Sequence, residues 1–187
     1  FSEVTICTRD KLYRLCEICG VLATNDINIF SAQAYTRADG VVIDIFQVTG
    51  PGGNPEIDSR CQEQVQRQLA EIFLSKASVE DLFSKHQRRW SRHRKPAIRI
   101  PTAIHFENEI SDQFTVIDIF AQDVVGLLYK ITRTLSDLGL DIYTARIGTQ
   151  ADKAVDSFYV SHNGKKVETP EALEQIRKEL TSRIGQP

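Results

Sequence analysis

The sequence repeats itself. Residues 4–48 slide onto 117–160 with a single gap near Gly40, and the identities include Ile6 with Ile119, Asp10 with Asp123, Leu15 with Leu128, Ile18 with Ile131, Leu22 with Leu135, Ile29 with Ile142, Ala32 with Ala145, Asp44 with Asp156 and Phe46 with Phe158. The matches fall at core-like spacings and the same local patterns recur in the same order. Two copies of one module explain this, so the chain must build the same small fold twice.

Each copy reads as strand, helix, strand, strand, helix. In the second, Thr115 to Ala121 is a β-branched and aromatic run, followed by Leu128, Ile131, Leu135 and Leu138 at helical spacing and a stop at Gly139. Asp141 to Gly148 and Val155 to Val160 then form a hairpin pattern around residues 150–153. Thr169-Pro170 opens a last helix with an apolar stripe of Leu173, Ile176, Leu180 and Ile184. In the first copy Asn54-Pro55 takes the opening role, and the stripe is Ile57, Cys61, Val65, Leu69 and Ile72. A βαββα(β) unit of about 75 residues has the ferredoxin-like topology. The fold class is therefore α+β: two ferredoxin-like βαββαβ repeats, antiparallel sheets with helices on one face.

The other sheet face also carries apolar residues. Along Val42 to Val48, Ile43 and Ile45 point one way while Val42, Phe46 and Val48 point the other. A strand apolar on both sides is expected to be covered on both, and another copy of the module is the expected cover. Residues 101–108 form a further strand that either closes the first sheet or pairs back as a hairpin with 114–120. The hairpin is preferred, because the chain ends soon after its last helix and would otherwise leave the second sheet without a fourth strand.

Charge marks the boundaries. The net of −2 divides into 6 basic and 10 acidic side chains over 1–75 (−4), 8 and 2 over 76–100 (+6), and 9 and 13 over 101–187 (−4). The expected organisation is a first repeat at 1–75, a basic and partly helical connector at 76–100, and a second repeat at 101–187. No window approaches the roughly 18 uncharged apolar residues of a membrane span. The chain carries no secretion signal and starts at Phe1 rather than Met, which reads as part of a longer protein. Four cysteines without a secretion signal suit reduced thiols in a cytoplasmic setting.

The strings Asp123-Val-Val-Gly126-Leu-Leu128, Leu138 to Ile147 (LGLDIYTARI) and Val155 to Val160 (VDSFYV) resemble the ACT domain, a small-molecule regulatory module. The tandem is similar to the C-terminal regulatory region of the [protein-PII] uridylyltransferase/uridylyl-removing enzyme family. The resemblance implies a non-catalytic sensor with no cofactor or metal. It would bind an effector amino acid, glutamine in that family, at ACT interfaces, relay nitrogen status to upstream catalytic domains, and form a homodimer through its sheets.

The residues suit that implication. Gly126 lies between strand and helix, where a missing Cβ permits close backbone approach, although it also reads as a packing or helix-entry glycine. The N–H groups of Gly126, Leu127 and Leu128 are expected to face outward beside Val125, a seat for a carboxylate, with Asp123 placed to accept from an ammonium group. Side-chain selectivity is expected from the neighbouring copy, through second-strand positions such as Asp141, Ile142 and Thr144, with Asn28 as the first copy's counterpart. In the first copy Asp10, Leu12 and Tyr13 stand in the equivalent loop. Tyr13 replaces Gly126, so its ring either blocks the approach and leaves that site degenerate or forms a lid.

Other motifs are weaker. Cys16-x-x-Cys19 sits among Leu12, Leu15, Ile18 and Leu22 on a helix and reads as core, and zinc would need two further ligands that no paired spacing supplies. Gly50 to Pro55 lacks the lysine-serine of a phosphate loop and reads as a turn. Lys85 to Lys95 reads as a solvated basic connector, or as a helix opened by Ser78 that packs Leu82, Phe83 and Trp90 inward. Nucleic-acid binding is disfavoured, because the RNA-reading aromatic signature is absent from the third strand. His86, His93, His105 and His162 are scattered and share no motif with a nucleophile.

Overall fold

A computed structural model describes residues 1–90, 100–150 and 153–184, without the side chains of 87–90 and 149–150. The first repeat comprises β1 (Ser2–Arg9), α1 (Arg14–Thr24), β2 (Asn28–Thr36), β3 (Val41–Thr49) and α2 (Ser59–Phe73). Helix α3 (Val79–Trp90) follows. The second repeat comprises β4 (Ala103–Glu107), β5 (Thr115–Gln122), α4 (Leu127–Asp137), β6 (Leu140–Gln150), β7 (Lys153–His162) and α5 (Pro170–Ile184). All pairings are antiparallel. Strand β4 forms the expected hairpin with β5 and so supplies the second repeat with its fourth strand.

Within the chain the repeats do not supply the expected face cover to each other. They join edge to edge, β2 against β6, into one seven-stranded sheet of order β1-β3-β2-β6-β7-β5-β4. Edge pairing satisfies a row of backbone donors and acceptors that stacking would leave open. The register carries a symmetry. Gln33 pairs with Arg146, its own counterpart in the repeat, while Ala32 faces Ile147 and Ala34 faces Ala145. A local twofold axis therefore passes through the Gln33–Arg146 pair and exchanges the two repeats.

Alternation along the strands sorts the faces. Val42, Phe46 and Val48 on β3 and Ala154, Phe158 and Val160 on β7 are buried toward the helices. Ile43 and Ile45 are half-buried on the opposite face, as the alternation predicts. There too the Ser157 hydroxyl donates to Asp118 at 2.5 Å, and the His105 and Phe120 rings meet edge to face.

The helix stripes hold: Val65, Leu69 and Ile72 of α2 and Ile176 and Leu180 of α5 are buried. Helix α2, however, begins at Ser59 rather than after Asn54. Asp58 is the cap, its carboxylate accepting from the Cys61 N–H at 2.7 Å, and Pro51–Gly53 forms a short exposed turn before it. Aspartate provides the stronger cap because its charge also complements the helix dipole.

The connector is not simply solvated. Its first half is α3, where the Ser78 hydroxyl accepts from the Asp81 N–H at 3.4 Å. Val79 and Phe83 are buried, and the Phe83 ring packs on Tyr129 of α4 with centroids 4.1 Å apart. The packing expected of Trp90, and the basic run at 91–99, lie outside the described residues, as does the turn at 151–152.

Helices α1, α3 and α4 meet at Gly20. A Cβ there would lie 2.3 Å from Val79 Cγ2 and 2.9 Å from the Tyr129 ring. Neither neighbour is the loose end of a flexible chain, since both are buried. Gly20→Ala is therefore expected to destabilise the protein by about 1–3 kcal/mol through overpacking, despite alanine's better helix propensity. Urea unfolding should show a lower midpoint at unchanged slope.

Candidate functional site

The twofold junction creates two equivalent clefts. One is lined by the loop Asp123 to Leu128 of the second repeat, by Asn28 and Ile29 at the start of β2, and by Cys19, Tyr129, Ile147 and Asp156. The other is lined by the loop Asp10 to Leu15 of the first repeat, by Asp141 and Ile142 at the start of β6, and by Ala34, Val42, Ser136 and Asp44. Each thus takes the strand-to-helix loop of one repeat and the second-strand entry of the other.

This arrangement redistributes the expected site residues. Asp123, Val125, Gly126, Leu127, Leu128 and Asn28 come together in one cleft; Asp10, Leu12, Tyr13, Asp141 and Ile142 come together in the other. Asp141 and Ile142 therefore serve the Asp10 loop, not the Gly126 loop, because the antiparallel junction brings β6's start to the first repeat. Thr144 pairs with Tyr35 across the junction and is brought to neither cleft.

The two loops share a backbone. Gly126 sits at φ 86°, ψ 0° and Tyr13 at φ 72°, ψ −1°, both left-handed just before a helix. Tyrosine pays a strain there that glycine escapes. Its ring reaches over to α4, 5.1 Å from the Arg133 guanidinium, and burial together with the nearby Asp137 raises the pKa of its hydroxyl. The Tyr13 cleft is no smaller for it, and is the larger of the two. One donor of the expected seat is spoken for, since the Leu127 N–H donates to the Val124 carbonyl at 2.9 Å. The Arg14 N–H repeats that turn onto Lys11.

Two residues missed as site residues define the floors. Asp44 and Asp156 are 1% and 2% exposed. They lie on the helix-facing side of β3 and β7, each preceded and followed at two residues by an apolar neighbour. Burial raises both carboxyls to about 7, with Asp10 adding to the rise at Asp44 and Asp123 at Asp156, while the Gly148 N–H opposes it at Asp156. Cys19, buried between them, feels both negative charges, and burial above all keeps its thiol protonated. Cys16 is likewise pushed up to about 12, so the Cys-x-x-Cys pair is core, not reactive chemistry. Among the described residues no group of three or more His, Cys, Asp or Glu is placed to hold a metal ion.

Residues 103–187 match the family model described as an ACR9-like, ACT-like domain. The second repeat is similar to an ACT-like domain. The match covers the β4–α5 segment, strand β4 included. A crystal structure of aspartate kinase from Synechocystis aligns with 98% of this chain at 12% identity and a TM-score of 0.49, and the chain spans 26% of that enzyme's length. Among the described residues no helix is long and apolar enough to cross a membrane.

The floor carboxyls make stability pH-dependent with a definite sign. Each has a folded-state pKa above its unfolded value, so the folded state binds protons that the unfolded chain releases. Their stabilising contribution is full below about pH 4 and is lost as pH rises through about 7. The melting temperature of the wild type relative to an Asp44→Asn/Asp156→Asn variant is expected to fall between about pH 4.5 and about pH 8. A difference independent of pH would show that the pair does not titrate from a buried position.

Proposed function

We propose that the chain is an amino-acid-sensing regulatory module, with glutamine as effector, that acts on catalytic domains of a longer cytoplasmic protein of the uridylyltransferase/uridylyl-removing type. The observation that carries this reading is the pair of twofold-related clefts, each formed by a loop entering a helix from one repeat and a strand entry from the other. A ligand seated there touches both repeats, so its binding energy depends on how they are set against each other. That is the requirement for a ligand to bias one arrangement over another. The ACT-like character of residues 103–187 supports the same reading. The open sheet face, with Ile43 and Ile45, is the surface through which a second copy would form the homodimer.

Isothermal titration of the chain with L-glutamine and with the other common amino acids tests the proposal. Saturable binding of glutamine, accompanied by a rise in melting temperature, is the expected result. Gly126→Leu places a β-carbon at φ 86° and is expected to cost about 1–2 kcal/mol of stability while abolishing binding in its own cleft. Unaltered glutamine affinity in that variant would remove the Gly126 loop from the site.

A further inference from the structure

The floors of the clefts hold two carboxyl groups that the protein leaves wholly or half without partners. Asp44 and Asp156 are counterparts in the repeat, and each is almost fully buried. Among the described residues nothing donates to either oxygen of Asp44 or to Oδ1 of Asp156. Buried polar groups are normally paired, and a buried carboxylate without a partner is costly. Here the shortfall occurs at two symmetry-related points, at both oxygens of Asp44 and at one of Asp156, each residue lining a cleft.

The surrounding charges sharpen the point. Beside Asp44 stand Asp10, Lys11, Tyr13, Arg14 and Asp141; beside Asp156 stand Asp123, Cys19 and Tyr129. The two cations of the first cleft are directed elsewhere. Arg14 pairs with Glu17 at 2.8 Å and lies over the Phe73 ring, and Lys11 is 4.0 Å from Glu17. Each floor carboxyl also feels a second acid of the adjoining loop, Asp10 at Asp44 and Asp123 at Asp156, so the deep end of each cleft favours a positively charged group.

We propose that Asp44 and Asp156 are the cation-recognising residues of the two clefts, each accepting hydrogen bonds from the protonated amine of a small ligand. The inference builds on the amino-acid reading above and adds to it which end of the ligand goes deepest. It also makes the Tyr13 cleft a binding site in its own right. Because the bound cation favours the ionised carboxylate, affinity rises as pH is raised through the range in which the floor carboxyls lose their protons.

The test titrates the full 187-residue chain with each common L-amino acid, with the amine made by removing its carboxyl group, and with the acid made by removing its amino group. The expected result is that amino acids, or amines, bind and the matching deaminated acids do not. Asp156→Asn and Asp44→Asn should each weaken one cleft roughly ten- to a hundredfold, the loss of a charge-assisted hydrogen bond, and flatten its pH dependence. The ligand-side comparison uses the wild-type protein, so it stands even where a variant folds poorly. Amino acids that bind equally well without their amino group, or that bind both asparagine variants as they bind the wild type, would overturn this inference and leave the amino-acid reading intact. Amines that bind while no amino acid does would uphold it and overturn the reading. No binding by either class would overturn both.

Discussion

The β2–β6 pairing is the constraint on which the rest of the molecule depends. Its symmetric register, centred on Gln33 and Arg146, fixes where every other element of one repeat meets the other. Small residues make this possible. Ala34 and Ala145 face each other on the helix side of the junction, so α1 and α4 can settle side by side above it. Had either been large, the helices would be held off the sheet and the loops at their N-termini would not reach the opposite strand entries.

Helix α3 then closes the gap between α1 and α4. Its grip is apolar: Val79 beside Gly20, and Phe83 on Tyr129. Charged contacts outline the same region, with Arg133 bridging Glu80 and Asp137, and His86 2.9 Å from Asp26. Most of these side chains are partly solvated, so they orient the helix more than they hold it. The +6 segment that separates the repeats in the sequence thus begins with a helix that ties them together in space.

The repeat, the strand and helix order and the β4–β5 hairpin were all legible in the sequence, because identities such as Ile18 with Ile131 and Phe46 with Phe158 sit on core faces. Edge joining was not. Strand β2 reads Asn-Ile-Phe-Ser-Ala-Gln-Ala-Tyr-Thr, and its small residues carry little hydrophobic signal, so nothing local announces that its edge is paired. The apolar residues Ile43 and Ile45 pointed to stacking instead. The loops at Asp10 and Asp123 each line a cleft, and a strand from a neighbouring copy was the expected complement, but which strand entry meets which loop depends on the twofold axis and could not be read from the sequence. The aspartates on the floor carried a usable signal, a charged residue repeated in both copies on the apolar face of an otherwise alternating strand.

The tether between the repeats has a further consequence. An interface related by a twofold axis is what two separate molecules of one repeat would make, and such a pair falls apart on dilution. Carried on one chain, the second repeat is always present at the high effective concentration set by the connector, so the clefts persist however dilute the protein. Covalent linkage also frees the halves from identity. A substitution in a homodimer alters both of its sites at once, whereas here Gly126 and Tyr13, or Asn28 and Asp141, occupy matching positions in two clefts of the same molecule. One scaffold can hold two different thresholds.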